Sequence, residues 1–224
     1  MDRTQLIRVV VSRYLMAVVV LAALFFLPAG TLNYWQAWVY MGILFVMMFF
    51  VMLYMLNKTP ELLERRMHTK ERVKEQSLII KLSLIPFLLA YILPGFDRRF
   101  GWSHPPVWLV LLALALVMAG YLFVLWVFRV NAYASRVIEV AEDQKVIDTG
   151  PYAVVRHPMY AGVLPLYVLS PLALGSYVAL IPALFIIPVL VARILNEEKV
   201  LATELPGYHA YLQKVRYRLV PGLW

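Results

Sequence analysis

The chain is predicted to be an all-α integral membrane protein, a bundle of about six membrane-embedded helices, on three observations. Hydrophobic residues make up 62% of it, and the mean hydropathy is +0.74. Charged residues reach 15%, against roughly a quarter in a water-soluble domain. The apolar residues also fall in long uncharged blocks, several close to the ~20 residues that carry a helix across a ~30 Å hydrocarbon core.

The first block covers residues 14–29, after a basic start with Arg3, Arg8 and Arg13. It is also readable as a signal peptide, but a second apolar block at 34–56 follows almost at once. Trp35, Trp38 and Tyr40 open that second block, where interfacial aromatics belong. A stretch at 57–77 alternates in charge, with Glu61, Glu64, Arg65, Arg66, Lys70, Glu71 and Arg72. That pattern suits an amphipathic helix on the membrane surface. The third block is 78–94, followed by a short loop with Asp97, Arg98 and Arg99, and the fourth is 107–128. Residues 129–156 are polar, and Asp148-Thr149-Gly150-Pro151 signals a turn. Two apolar segments, 160–174 and 177–195, are split only by Gly175-Ser176 and predict a tight helical hairpin. Pro182 and Pro188 are expected to disturb its second arm. A polar, aromatic tail from 196 to 224 predicts a C-terminal surface helix around Tyr208, Tyr211 and Lys214. The chain thus divides into residues 1–129, four spans with a surface segment, and 130–224, where the chemistry is expected.

Of the 21 Lys and Arg residues, 19 fall on the side of the termini, and only Arg98 and Arg99 on the other. The positive-inside rule therefore predicts both termini, the 57–77 segment and the 129–156 loop in the cytoplasm. The net charge of +8 flanks apolar blocks, so it points to anionic lipid headgroups and not to nucleic acid. The absence of cysteine excludes disulfides, cysteine–zinc sites and a cysteine nucleophile, and no metal is expected.

The unusual polar features lie in the last 95 or so residues. Gly150-Pro151-Tyr152 precedes Arg156-His157-Pro158-Met159-Tyr160-Ala161-Gly162 at the mouth of the hairpin. Proline at 158 suits the first turn of a helix, leaving His157 at a helix N-terminus where free N–H groups favour an anion. The plainer reading is that Arg156 and His157 meet lipid phosphates. At the end of the second arm come Arg193, Glu197 and Glu198. Arg193 and Glu197 stand four apart and so share a helix face. They read either as an ion pair at the end of a span or as groups lining a buried cavity. Asn131, Ser135 and Arg136 are individually weak signals.

In this order, Gly-x-Tyr, Arg-His-Pro-x-Tyr-x-Gly, a hairpin, Glu-Glu and a Tyr-x-x-Tyr tail resemble the isoprenylcysteine carboxyl methyltransferase family. Phospholipid N-methyltransferases share the pattern more loosely. The resemblance covers about 131–221 and implies an S-adenosylmethionine site formed by Tyr152, His157, Pro158, Met159, Tyr160 and Glu197. Backbone at Gln144, Lys145, Val146 and Ile147 is implied to line the same pocket, and Arg193 to face the substrate. That substrate is expected to be a lipophilic molecule from the bilayer presenting a carboxylate, which a guanidinium clamps bidentately and which needs no base. The first alternative is a phospholipid amine, which would be repelled by Arg193 and would need a base, with Glu198 the spare candidate. The others are an NADPH-dependent sterol-type reductase, which shares an Arg-His-x-x-Tyr-x-Gly element, and a non-enzymatic membrane protein.

Overall fold

In the computed structural model, residues 2–67, 74–134, 140 and 143–224 are described. Lys70, Glu71 and Arg72 of the charged stretch, and Ser135 and Arg136, lie outside the described residues. Among the described residues, four helical runs are long and apolar enough to cross a membrane: Arg3–Ala29 (α1), Trp35–Lys58 (α2), Val107–Val130 (α5) and Leu180–Glu204. Between α2 and α5 lie Pro60–Met67 (α3) and Lys74–Phe100 (α4). After α5 come a 3₁₀ turn at Gly150–Ala153, then Pro158–Val168 (α6), Ser170–Ala173 (α7), Leu180–Leu184 (α8), Ile186–Glu204 (α9) and Tyr208–Lys214 (α10). Among the described residues the only β pairing is an isolated parallel bridge between Val155 and Tyr217.

Several boundaries differ from the expectation, each for a physical reason. α1 begins at Arg3, well before the apolar block at 14, because Leu6 and Val10 form one buried stripe against Met55, Leu62 and Leu63. α3 is described as far as Met67, whose carbonyl accepts a hydrogen bond from Arg13 Nη1 at 3.0 Å.

α4 does not stop at Pro94 but runs through it to Phe100. Packing against α1 holds it there, since a Cβ on Gly95 would lie 2.7 Å from the Phe25 carbonyl oxygen. The helix ends instead at Gly101, whose φ of +64° suits glycine and whose N–H returns to the Asp97 carbonyl at 2.7 Å.

Asp97, expected in a loop, is therefore helical and buried. Its carboxylate accepts hydrogen bonds from the Ser103 N–H at 2.8 Å, from the Ser103 hydroxyl, and from the Ser176 hydroxyl at 2.5 Å. The hairpin tip is thus fastened to the end of α4. Arg98 reaches the Asn33 carbonyl at 3.1 Å and Tyr34 donates to the Leu174 carbonyl at 2.6 Å, closing this end of the bundle.

The hairpin forms, with an interrupted second arm. α6 has 11 residues and, at 1.5 Å per residue, is about 16 Å long, too short to span alone. Gly120 and Gly162 let it lie against α5, because a Cβ on Gly120 would come within 2.7 Å of the Gly162 carbonyl oxygen. The second arm breaks into α8 and α9 at Phe185, with Pro182 and Pro188 on either side. α9 then continues past Leu195 to Glu204. It stops at Leu205, which takes an extended conformation (φ −101°, ψ 110°) ahead of Pro206, as residues before proline prefer. Arg193, Glu197 and Glu198 are therefore mid-helix residues, and not the end of the arm.

Candidate functional site

At the end of the bundle away from Asp97, the start of α6, the middle of α9, α10 and the segment after α5 enclose a cavity of about 100 Å³. Its walls include Gln144, Lys145, Val146, Ile147, Tyr152, His157, Met159, Tyr160, Arg193 and Glu197. The structure thus brings together ten residues singled out from the sequence, spread over 54 positions. Pro158 and Glu198 do not line the cavity; they sit behind it.

Pro158 is the first residue of α6, where its missing N–H costs no helical hydrogen bond, and His157 is the residue that precedes the helix. The His157 backbone N–H donates to the Arg218 carbonyl and the Arg156 N–H to the Tyr217 carbonyl, both at 2.9 Å. The C-terminal segment is therefore laid along the entry to α6. The His157 ring is buried between two glutamates, with Nε2 3.3 Å from Glu198 Oε1 and Nδ1 3.9 Å from Glu197 Oε1.

Glu198 ties this layer together. Its Oε1 also accepts from Arg156 Nη1 at 3.1 Å, and its Oε2 from Arg218 Nε at 2.9 Å. The same Arg156 donates to the carbonyls of Val215 at 2.7 Å, Leu212 at 3.1 Å and Arg216 at 3.2 Å. One guanidinium thus fastens the end of α10 to α9. A carboxylate with both oxygens engaged by cations acts here as a structural anchor in the site's floor.

Glu197, one residue earlier, faces the cavity. Tyr160 donates to its Oε2 at 2.6 Å, and Arg193 Nε donates to the Tyr160 oxygen at 2.9 Å. Arg193 and Glu197 are linked through the tyrosine that stands between them. The pair reads as cavity-lining groups of mixed charge, which is the buried alternative that their spacing left open.

The opposite wall hangs from α5. Asn131 follows that helix, donates from Nδ2 to the Tyr152 hydroxyl at 2.8 Å and accepts from the Tyr133 N–H at 2.8 Å. Burial pushes the Tyr152 hydroxyl above its ordinary pKa, the Asn131 bond opposing this and the Glu197 charge adding to it. From α3, Arg66 stacks over Phe128 at 4.6 Å and donates to the Ala134 carbonyl at 2.9 Å. The amphipathic helix thereby supports a cavity wall. α10 closes the remaining side: Tyr211 donates to the Tyr152 carbonyl at 2.8 Å, and Lys214 pairs with Asp148 at 2.6 Å. That pairing holds the Asp148 carboxyl below its usual range.

Reading the sequence missed Tyr133, Ala134, Leu201, Leu205, Tyr208 and Tyr211 as cavity residues, and gave Asn131 and Arg156 no site role. Two of them had a signal. Leu201 and Leu205 continue the four-residue spacing of Arg193 and Glu197, visible once α9 runs beyond Leu195.

A search of curated proteins returns no match to this chain. Residues 108–205 do match the family model for phospholipid methyltransferases, a stretch that starts in α5 and contains most of the cavity wall, from Asn131 through Leu205.

Proposed function

We propose that this chain is a membrane-embedded methyltransferase that uses S-adenosylmethionine to methylate the amine headgroup of a phospholipid. The cavity carries this reading. It joins the 144–147 backbone, Tyr152, His157, Tyr160 and Glu197 at the end of an apolar bundle, within the stretch that matches the phospholipid methyltransferases. The charge distribution supports a cytoplasmic mouth, since 19 of the 21 Lys and Arg residues fall in segments that the sequence predicts on the side of the termini. A water-soluble donor would enter there, and a lipid acceptor from the side.

The donor set fits the cofactor. Glu197 offers a counter-charge to an amino group, and Tyr152, His157 and the 144–147 backbone offer hydrogen bonds and flat apolar surface. When bound, the group supplies a methyl on a cationic sulfonium, an electrophile that needs no acid. The residues must then align the acceptor and keep bulk water from the methyl group. Holding two reactants in line is worth about 7–11 kcal/mol of the barrier.

The carboxylate acceptor expected from the sequence gives way to the amine for two reasons. The family match names phospholipid methylation. Arg193, the reason for expecting a carboxylate, is bonded to Tyr160 and through it to Glu197, so an acid on the same relay offsets its repulsion of an ammonium. An amine headgroup would have to meet the donor methyl as the free base, having given up one proton. That proton would leave to water at the cytoplasmic mouth, because both oxygens of Glu198 are occupied and Glu197 serves Tyr160 and the cofactor's amino group.

An assay in detergent with methyl-labelled cofactor tests the assignment, offering phosphatidylethanolamine beside a farnesylated cysteine analogue. Label is expected in the amine lipid. Label in the farnesylated acid alone would restore the carboxylate reading.

A further inference from the structure

Three buried side-chain polar atoms have no hydrogen-bond partner among the described residues: Gln36 Oε1, Thr59 Oγ1 and the Tyr208 hydroxyl. Of these residues only Tyr208 belongs to the cavity wall. Its side chain is 3% exposed and packs with Leu205, Tyr211 and Val215, against Val146 and Leu201. The ring is therefore fully used in packing, while the hydroxyl is not used at all. Its neighbour Tyr211, in the same helix, spends its hydroxyl on the Tyr152 carbonyl.

A buried hydroxyl without a partner is unfavourable, and native proteins tolerate few of them. A phenylalanine here would pack the same way without that penalty. From this placement we propose that the Tyr208 hydroxyl is a recognition group for the nucleoside part of the bound cofactor, which supplies the missing partner. The inference rests on the methyltransferase reading. The nucleoside is favoured over the lipid acceptor because Tyr208 shares its apolar cluster with Val146, on the loop side of the cavity. Arg193 and Tyr160 lie on the hairpin side, from which a lipid would arrive. Burial first, and then the charges of Glu198 and Glu197, push the Tyr208 pKa up. The group stays protonated and is a donor, so its partner is an acceptor atom such as a ribose oxygen or an adenine ring nitrogen.

The test compares Tyr208→Phe with the parent protein by calorimetry with S-adenosylhomocysteine, and by thermal unfolding without ligand. Affinity is expected to fall about 5- to 30-fold, while the ligand-free melting temperature stays equal or rises. Tyr211→Phe, which does break an internal hydrogen bond, should lower the melting temperature. Equal affinity in Tyr208→Phe, with the parent binding normally, would overturn the inference and leave the methyltransferase reading intact. A ligand-free melting temperature several degrees lower would overturn it too, by showing that the hydroxyl serves the fold. No binding by the parent protein would remove both.

Discussion

Glu198→Ala should lower the melting temperature in detergent by on the order of 10 °C, the largest stability loss expected from a single site residue. Two arginines and a histidine converge on this carboxylate: Arg156, whose side chain is 12% exposed, His157 at 3% and Arg218 at 33%. Removing one partner of a buried ion pair costs about 3–5 kcal/mol, because the opposite charges stay behind without compensation. In a chain of about this size each kcal/mol moves the melting temperature by roughly 2–4 °C. Glu198→Gln keeps the shape and some of the hydrogen bonds, so it should fall between the two. The loss should also loosen the C-terminal segment from α6, seen as faster proteolysis between α10 and the terminus. A melting temperature within 2 °C of the parent would mean that Arg156 and Arg218 are satisfied by solvent or lipid headgroups.

Glu197→Ala should act on binding instead, weakening S-adenosylmethionine about 5- to 150-fold, which corresponds to the roughly 1–3 kcal/mol of a lost hydrogen bond to a charged group. The two glutamates are adjacent in sequence, yet α9 turns them to different faces, one into the cavity and one into the arginine layer behind it. Their variants should separate accordingly, one moving affinity and the other stability. Calorimetry and thermal unfolding on both proteins check this. Unchanged affinity in Glu197→Ala would leave that residue as a partner of Tyr160 only.

The apolar blocks were legible because hydropathy alone decides whether a segment enters a bilayer. Their ends were less so. Pro94 reads as a stop, yet α4 continues because Gly95 lets α1 approach within contact distance, and a single sequence does not show which neighbour a glycine faces. The polar run at 196–204 reads as a tail for a similar reason. It stays helical because Arg156 and Arg218, from elsewhere in the chain, neutralise Glu198. In the site, the compact motif at 156–160 and the spacing of Arg193 and Glu197 were visible locally. Glu198 was read as a spare base, since the arginines that occupy it lie 42 and 20 residues away. Tyr208 gave no signal beyond its pairing with Tyr211; only the missing partner of its hydroxyl sets it apart.

The cavity between α6, α9 and α10 is proposed to hold S-adenosylmethionine. Isothermal titration of the purified protein in detergent with S-adenosylmethionine and, separately, NADPH tests it without any knowledge of the acceptor. Saturable, one-site binding of S-adenosylmethionine is expected, weakened in Glu197→Ala, with no heat of binding for NADPH. Saturable NADPH binding with no response to S-adenosylmethionine would contradict it and make the protein a reductase.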